Sequence, residues 1–307
     1  MLELRHYRYF IAVAEELHFG RAAERLHIAQ PPLSQQIQAM EASLGVRLFE
    51  RSRRKVEMTE AGRMLLVEAR QVVAQAARAE DMARRSAKGE VGRLEIAFTG
   101  SAPFNDYMPA LIKRYRDAWP QVHLSLREMS TFDQLHAIRE GRLDISFARP
   151  AAAMTAPGVE MRLVEREALV VICNQDHPLA AQDSLCMADL SEERFLLHPR
   201  HIGTGLYEKV MGLALAAGFT PRTEIEAHQM STIVGLAAIG LGVAVVPNAM
   251  RKFQVQGAAF RPLRDSQAFI DLYVAYRSGT LGPLVRNFVD LMEDKTAESP
   301  SHSEVKP

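Results

Sequence analysis

The 307-residue chain is poor in several things at once: it has two cysteines, one tryptophan, 7% aromatic residues and no net formal charge. The zero balance removes overall charge as an argument for a polyanionic partner. The two cysteines, Cys173 and Cys186, stand without a CxxC pair or a Cys/His cluster, which excludes a zinc ribbon and a disulfide framework. Isolated thiols of this kind fit a reducing compartment. They read as small apolar residues, with a redox pair as the alternative. No apolar run approaches the ~18–20 residues of a membrane span. Arg5, His6, Arg8, Glu15 and Glu16 interrupt any leader-like apolar core, so a cytoplasmic protein with no membrane partner is expected. Catalytic signatures are missing too. There is no GxSxG turn, and the glycine-rich apolar stretch over 235–242 has no phosphate-loop lysine and reads as packing. His123, His136 and His177 are scattered without partner spacing. His198 and His201 have a metal-like separation but no third ligand nearby, so neither a metal site nor an enzyme is expected.

What is present is the composition of a globular protein, 48% hydrophobic and 24% charged, over a length that calls for two or three domains. The charge is also unevenly placed. Through Glu90 there are 15 Lys/Arg against 12 Asp/Glu, and from Val91 there are 22 against 25. Periodicity predicts a helix over 4–17, with Leu4, Tyr7, Phe10, Ile11, Ala14 and Leu17 on one face, ended by Phe19-Gly20. A short second helix over 21–26 follows, then a turn over 27–30. Pro31-Pro32 opens a third helix, because a proline in the first turn loses no helical hydrogen bond. Leu33, Ile37, Met40 and Leu44 form its buried stripe, and Gly45 stops it. Residues 46–51 and 56–58 read as two strands around the basic tip Arg51, Arg53, Arg54, Lys55. A long helix over 59–88 carries Leu65, Val72, Ala76, Ala79 and Ala83 in a near-heptad seam of small residues. Beyond a hinge at 88–92 the pattern alternates strand and helix to residue 292, which argues for an α/β sheet with helices on both faces. The tail from 296 is polar.

Two short helices and a tight turn, the second helix polar on its outer face, make a helix-turn-helix. Its outward set is Gln30, Ser34, Gln35, Gln38 and Glu41. Glutamine and serine both donate and accept hydrogen bonds, so they can read base edges in a major groove. Pro31 and Pro32 place the first turn, whose free N–H groups suit a phosphate. Arg51, Arg53 and Arg54 would grip the flanking backbone or a minor groove as a wing does. The bland alternative is a three-helix bundle with a solvated face and a basic loop.

The stretches 2–16, 19–26, 29–37, 44–51 and 58–62 together carry a dense, ordered pattern: Phe19-Gly-Arg-Ala-Ala-Glu-Arg-Leu, then Ala29-Gln-Pro-Pro-Leu-Ser-Gln-Gln-Ile, then Leu44-Gly-Val-Arg-Leu-Phe-Glu-Arg, then Met58-Thr-Glu-Ala-Gly. This pattern resembles the amino-terminal signature of LysR-type transcriptional regulators, most of all the aromatic-catabolism and acetoin-type members. The resemblance implies a winged helix-turn-helix over 1–58, a linker and dimerisation helix with its hinge over 59–90, and an effector-binding domain over 91–295. That domain would have the two-subdomain periplasmic-binding-protein fold, with subdomain I at 91–162 and 268–295 and subdomain II at 163–267. It further implies a dimer of dimers on promoter DNA, an inverted-repeat target, a small-molecule effector and contact with RNA polymerase. Gln35 stands where several aromatic-pathway members carry Arg, so the target sequence is expected to differ.

In open α/β sheets ligands bind beyond the carboxyl ends of the strands. Three such ends are polar here: Thr99-Gly100-Ser101, Ser130-Thr131 and Arg149. The hydroxyls suit a carboxylate and Arg149 could pair with it bidentately. In the family pattern Ser101, Thr131 and Arg149 match effector-contacting positions. Across the cleft, His201, Ile202, Thr204 and His228 form the expected opposite wall. Each has a plainer reading. Ser101 and Ser130 could simply cap helices, and Arg149 could be a structural ion pair with Asp144 or Glu128. The expectation is a DNA-binding regulator modulated by an organic anion. A transport-type solute-binding protein would call for a leader and no basic wing, and an α/β enzyme for a nucleophile–base set.

Overall fold

The computed structural model describes residues 1–51, 55–152, 154–202 and 205–293. The chain forms two compact units, Met1–Ser86 and Ala87–Pro307. No helix among the described residues is long and apolar enough to cross a membrane.

The first unit packs α1 (Leu4–Glu16), α2 (Phe19–Arg25) and α3 (Gln30–Leu44) against a two-stranded ribbon, β1 (Phe49–Arg51) and β2 (Val56–Met58), and the start of α4 (Glu60–Ala87). Phe10, Phe19 and Phe49 meet at its centre, with ring centroids 5.5 and 6.1 Å apart, beside Leu33, Ile37 and Met40. The first break falls earlier than the sequence suggests. Leu17 ends α1 in a left-handed conformation (φ 47°), and the Nδ1 of His18 accepts the Arg21 N–H at 3.2 Å. Phe19-Gly20 therefore opens α2, because the cap, not the glycine, sets the boundary. Gly45 closes α3 at φ 71°, as its lack of a side chain permits. Glycine is also required at 62. A Cβ there would lie 2.3 Å from the Leu48 carbonyl oxygen, and this close approach brings α4 onto the ribbon.

The second unit holds β3 (Gly92–Phe98), α5 (Tyr107–Ala118), β4 (Val122–Glu128), α6 (Thr131–Arg139), β5 (Ile145–Ala148) and the long β6 (Val159–Asn174). After them come β7 (Arg194–Leu197), α7 (Gly205–Ala216), β8 (Arg222–Glu226), α8 (Met230–Ala238), β9 (Ala244–Pro247), β10 (Ala258–Pro262), β11 (Phe269–Arg277) and α9 (Pro283–Glu293). The main sheet runs β10-β6-β11-β5-β3-β4, with β9 also on β6. The β3 strand is parallel to β4 and β5, and Phe98 sits opposite both Glu128 and Phe147. That register lines up the carboxyl ends of three strands. The β7 and β8 strands pair in parallel, Leu197 opposite Glu226, and so place His198 beside Ala227.

Two strands join two cores. The β11 strand gives Ile270 to the core around Phe195, Val210, Ile233 and Val245, and Leu272, Val274 and Tyr276 to the core around Ile96, Tyr115, Phe147 and Phe288. The β6 strand pairs with β11 up to Ala168 and with β9 and β10 from Leu169 and Val170. The subdomain bounds expected from the sequence set a crossing near Arg162. The strand is continuous through Arg162, and its change of partner follows Ala168. Its first half was not legible because Glu160, Arg162, Glu165, Arg166 and Glu167 break the apolar pattern, while main-chain pairing with β11 supplies the strand.

Candidate functional site

In the first unit Gln30, Pro31, Pro32, Gln35 and Gln38 are exposed on α3 and Ser34 is half-buried. The helix thus offers a polar face, with Leu33, Ile37 and Met40 fully turned inward. Glu41 and Arg51 have partners within the unit. The Glu41 carboxylate accepts the N–H groups of Leu48 (2.8 Å) and Phe49 (3.1 Å) and pairs with Arg51 at 3.0 Å. The Arg51 guanidinium also lies 4.8 Å from the Phe19 ring centre. Both belong to the joint between α3 and the ribbon, because the two backbone donors at the start of β1 have no strand partner there. Arg53 and Arg54 lie outside the described residues.

In the second unit the aligned strand ends surround a cavity of about 70 Å³, lined on one side by Thr99, Gly100, Ser101, Glu128, Met129, Ser130 and Arg149. His198, Ile202, Leu206, His228 and Met230 line the other side. The cavity shares Glu128, Met129, Ser130, Ile202 and His228 with a wider cleft of about 790 Å³ that continues to Phe132, Asp133, His136 and Arg142. Seven of the ten residues expected at the effector site therefore meet here. Thr204 and the side chain of His201 lie outside what is described. Thr131 is fully buried behind the cavity wall, where its Oγ1 accepts the Arg149 N–H at 3.2 Å.

Arg149 organises the site. It is 3% exposed, and its Nε donates to Ser101 Oγ at 3.1 Å. Its Nη1 reaches the Ile270 carbonyl at 3.5 Å and its Nη2 pairs with Glu167 at 2.5 Å. Burial pulls its pKa down and Glu167 pushes it back; a guanidinium stays charged under both. The plainer reading of Arg149 as a structural ion pair thus holds, with Glu167 as its partner in place of Asp144 or Glu128. Asp144 accepts the Glu95 N–H instead, at 2.8 Å. Glu167 is held in turn by the Ala249 N–H at 2.5 Å. Ser130 does cap α6: its Oγ accepts the Asp133 N–H (3.1 Å) and donates to the Asp133 carboxylate (2.7 Å). Ser101 makes no cap bond. On the far wall His198 is buried, which lowers its pKa, and its Nδ1 bonds the Ala227 carbonyl at 2.9 Å. Nδ1–H donates to that carbonyl, and burial favours the neutral imidazole. Among the described residues no group of His, Cys, Asp and Glu could hold a metal ion.

Glu128 and Glu167 are the site residues the sequence reading placed least well. Glu128 ends β4 and was reachable by the strand-end rule, yet entered only as an ion partner. Glu167 sits inside β6, where no local signal sets it apart.

Comparison with known proteins agrees with both halves. Residues 4–63 match the family described as "Bacterial regulatory helix-turn-helix protein, lysR family", and residues 87–297 match "LysR substrate binding domain". The chain is 40% identical over 288 residues to an uncharacterised HTH-type transcriptional regulator, YnfL, of Escherichia coli K12, covering 94% of this chain and 96% of that one. It is 35% identical over 301 residues to the HTH-type transcriptional regulator AlsR of Bacillus subtilis, covering 97% and 99%. Among solved structures, full-length CbnR complexed with its target DNA superposes with a TM-score of 0.81 at 29% identity, over 95% of this chain and 99% of that one.

Proposed function

The chain belongs to the LysR family of DNA-binding transcriptional regulators, which are not enzymes, and on that premise we propose which of its residues read DNA and which bind the effector. On α3, Gln30, Ser34, Gln35 and Gln38 read bases, with Pro31 and Pro32 presenting the first turn. Arg53 and Arg54 anchor the wing, and Arg51 orients it through Glu41. The effector is a small organic anion whose polar head enters the inner cavity and whose bulk lies in the wider cleft. The inner cavity, about 70 Å³, is much the smaller of the two and opens into the wider cleft of about 790 Å³. The carboxylate meets the Ser101 hydroxyl, whose proton stays free because its oxygen accepts from Arg149 Nε. Thr99, Gly100, Ser130 and Arg149 complete that wall, with Thr131 behind it holding the Arg149 backbone, and His201, Ile202, Thr204 and His228 are proposed for the other.

One observation carries this reading: strand ends belonging to both cores line a single cavity around Arg149. A ligand touching both sides favours one arrangement of them, and it shifts the regulator only to the extent that its affinity differs between arrangements. We extend the reading to a cytoplasmic homotetramer, built as a dimer of dimers on an inverted repeat, that acts on RNA polymerase. A thermal-shift screen of small organic acids against the full-length protein tests the effector site. At least one acid should raise the melting temperature of the wild type and do so less for Ser101→Ala. If every acid that stabilises the protein does so equally for both, the cavity is not the effector site.

A further inference from the structure

Two polar groups lining the inner cavity have no hydrogen-bond partner among the described residues. Thr99 lines it, and the Thr99 hydroxyl oxygen is buried without a hydrogen-bond partner. Glu128 lines it too, at the end of β4, and its carboxylate makes no hydrogen bond or ion pair with any described residue. That carboxylate lies over Gly100, where a Cβ would stand 2.7 Å from Glu128 Oε1. It therefore faces the same short strand end as the Ser101 hydroxyl.

No described arginine lining the inner cavity or the wider cleft pairs with Glu128. Of the described residues lining the inner cavity and the wider cleft, the arginines are Arg149 and Arg142. Arg149 is paired with Glu167, and Arg142 is paired with Glu140. His198 is neutral by burial. With the Arg149–Glu167 pair cancelling, the inner wall keeps the negative charge of Glu128. A bare carboxylate entering this space would gain the Ser101 and Arg149 donors and be opposed by Glu128. The buried Thr99 hydroxyl is unpartnered, and the exposed Glu128 carboxylate beside it is available to a ligand that donates.

We propose that Glu128 determines specificity, and that the effector is a small acid with a hydroxyl or ammonium donor near its carboxylate, a hydroxy acid or amino acid. The carboxylate goes to Ser101 and Arg149; the donor goes to Glu128, with Thr99 Oγ1 as a second acceptor. This rests on the cavity being the effector site and narrows the class of acid it takes. A donor facing an ionised carboxylate forms a charge-assisted hydrogen bond, stronger than a neutral one. An acid of the same shape without the donor leaves Glu128 unsatisfied and repelling.

The test uses the full-length protein and acid pairs that differ only in the donor: lactate and alanine against propionate, and mandelate and phenylglycine against phenylacetate. Affinities are measured by calorimetry or thermal shift in the wild type, Glu128→Gln and Ser101→Ala. Glu128 is exposed and unpartnered, so Glu128→Gln should keep the wild-type melting temperature without ligand. In at least one pair the donor-bearing acid should bind the wild type about tenfold tighter or more. Glu128→Gln should shrink that preference to a few-fold, chiefly by improving binding of the donor-less acid. If acids bind and Ser101→Ala weakens them, but the preference is missing or survives Glu128→Gln, the role of Glu128 is overturned and the site stands. If no acid binds, or binding ignores Ser101→Ala, the site reading falls and this inference falls with it.

Discussion

Arg149 and Glu167 form the one ion pair among the described residues in which both side chains are nearly out of water, at 3% and 7% exposure. Removing one member of such a pair leaves an uncompensated buried charge, which costs on the order of 3–5 kcal/mol. Arg149→Met should therefore destabilise the second unit by about that much in denaturant unfolding. The double variant Arg149→Met/Glu167→Met should recover most of the loss. Recovery stays incomplete because the Ala249 N–H loses its acceptor. A double variant as unstable as the single one would show that packing of the arginine stem, not charge pairing, holds this position. The sequence marks Arg149 by its place directly after a strand read over Leu143–Ala148. It does not mark Glu167, because the two are joined only by the antiparallel placement of β6 and β5 on either side of β11.

At the level of elements, the recognition helix and the wing are coupled through Glu41. Its carboxylate satisfies two backbone donors at the start of β1, on residues 1% and 2% exposed, and also holds Arg51. Deleting it exposes the contrast between charge and position. Loss of an acid near DNA raises affinity by electrostatics alone. Loss of the joint leaves buried N–H groups unsatisfied, at about 1–3 kcal/mol, and frees the ribbon. We expect Glu41→Ala to lower both the melting temperature and the affinity for promoter DNA in fluorescence anisotropy. Tighter DNA binding at unchanged stability would refute the positional role. Helices α1 to α4 and the ribbon are legible because each has a strong local signal: an apolar stripe, Pro31-Pro32 at an entry, Gly45 at an exit. The joint is not, because Glu41 on a helix surface looks like any solvated acid until Leu48 and Phe49 fold against it.

On the scale of the whole molecule, α4 leaves a large apolar surface open. Met64, Val67, Val72 and Met82 are 67%, 57%, 42% and 61% exposed, and Gly62 and Ala69 are the buried residues on its 28-residue length. An exposed apolar face of this extent fits a helix paired with that of a second copy. Val67→Glu/Val72→Glu should shift the protein toward monomer in analytical ultracentrifugation and weaken binding to a full inverted repeat by more than tenfold, since each buried valine contributes roughly 1.5–3 kcal/mol. An unchanged oligomer would place the self-association surface elsewhere. The alanines of α4 favour its length by themselves, since alanine is a good helix former.

The sequence by itself determined the order of elements, the winged helix-turn-helix, the family and the three polar strand ends at Thr99, Ser130 and Arg149. Those features are local: they depend on periodicity, caps and residues a few positions apart. Only the tertiary structure decided how they are used. It buried Thr131 behind the wall, turned Ser130 into a cap, matched Arg149 with Glu167 and left Glu128 and Thr99 unsatisfied. Such outcomes depend on which strands lie side by side. Strand pairing is a long-range choice, made by the competition of whole surfaces for burial and not by any short stretch of chain.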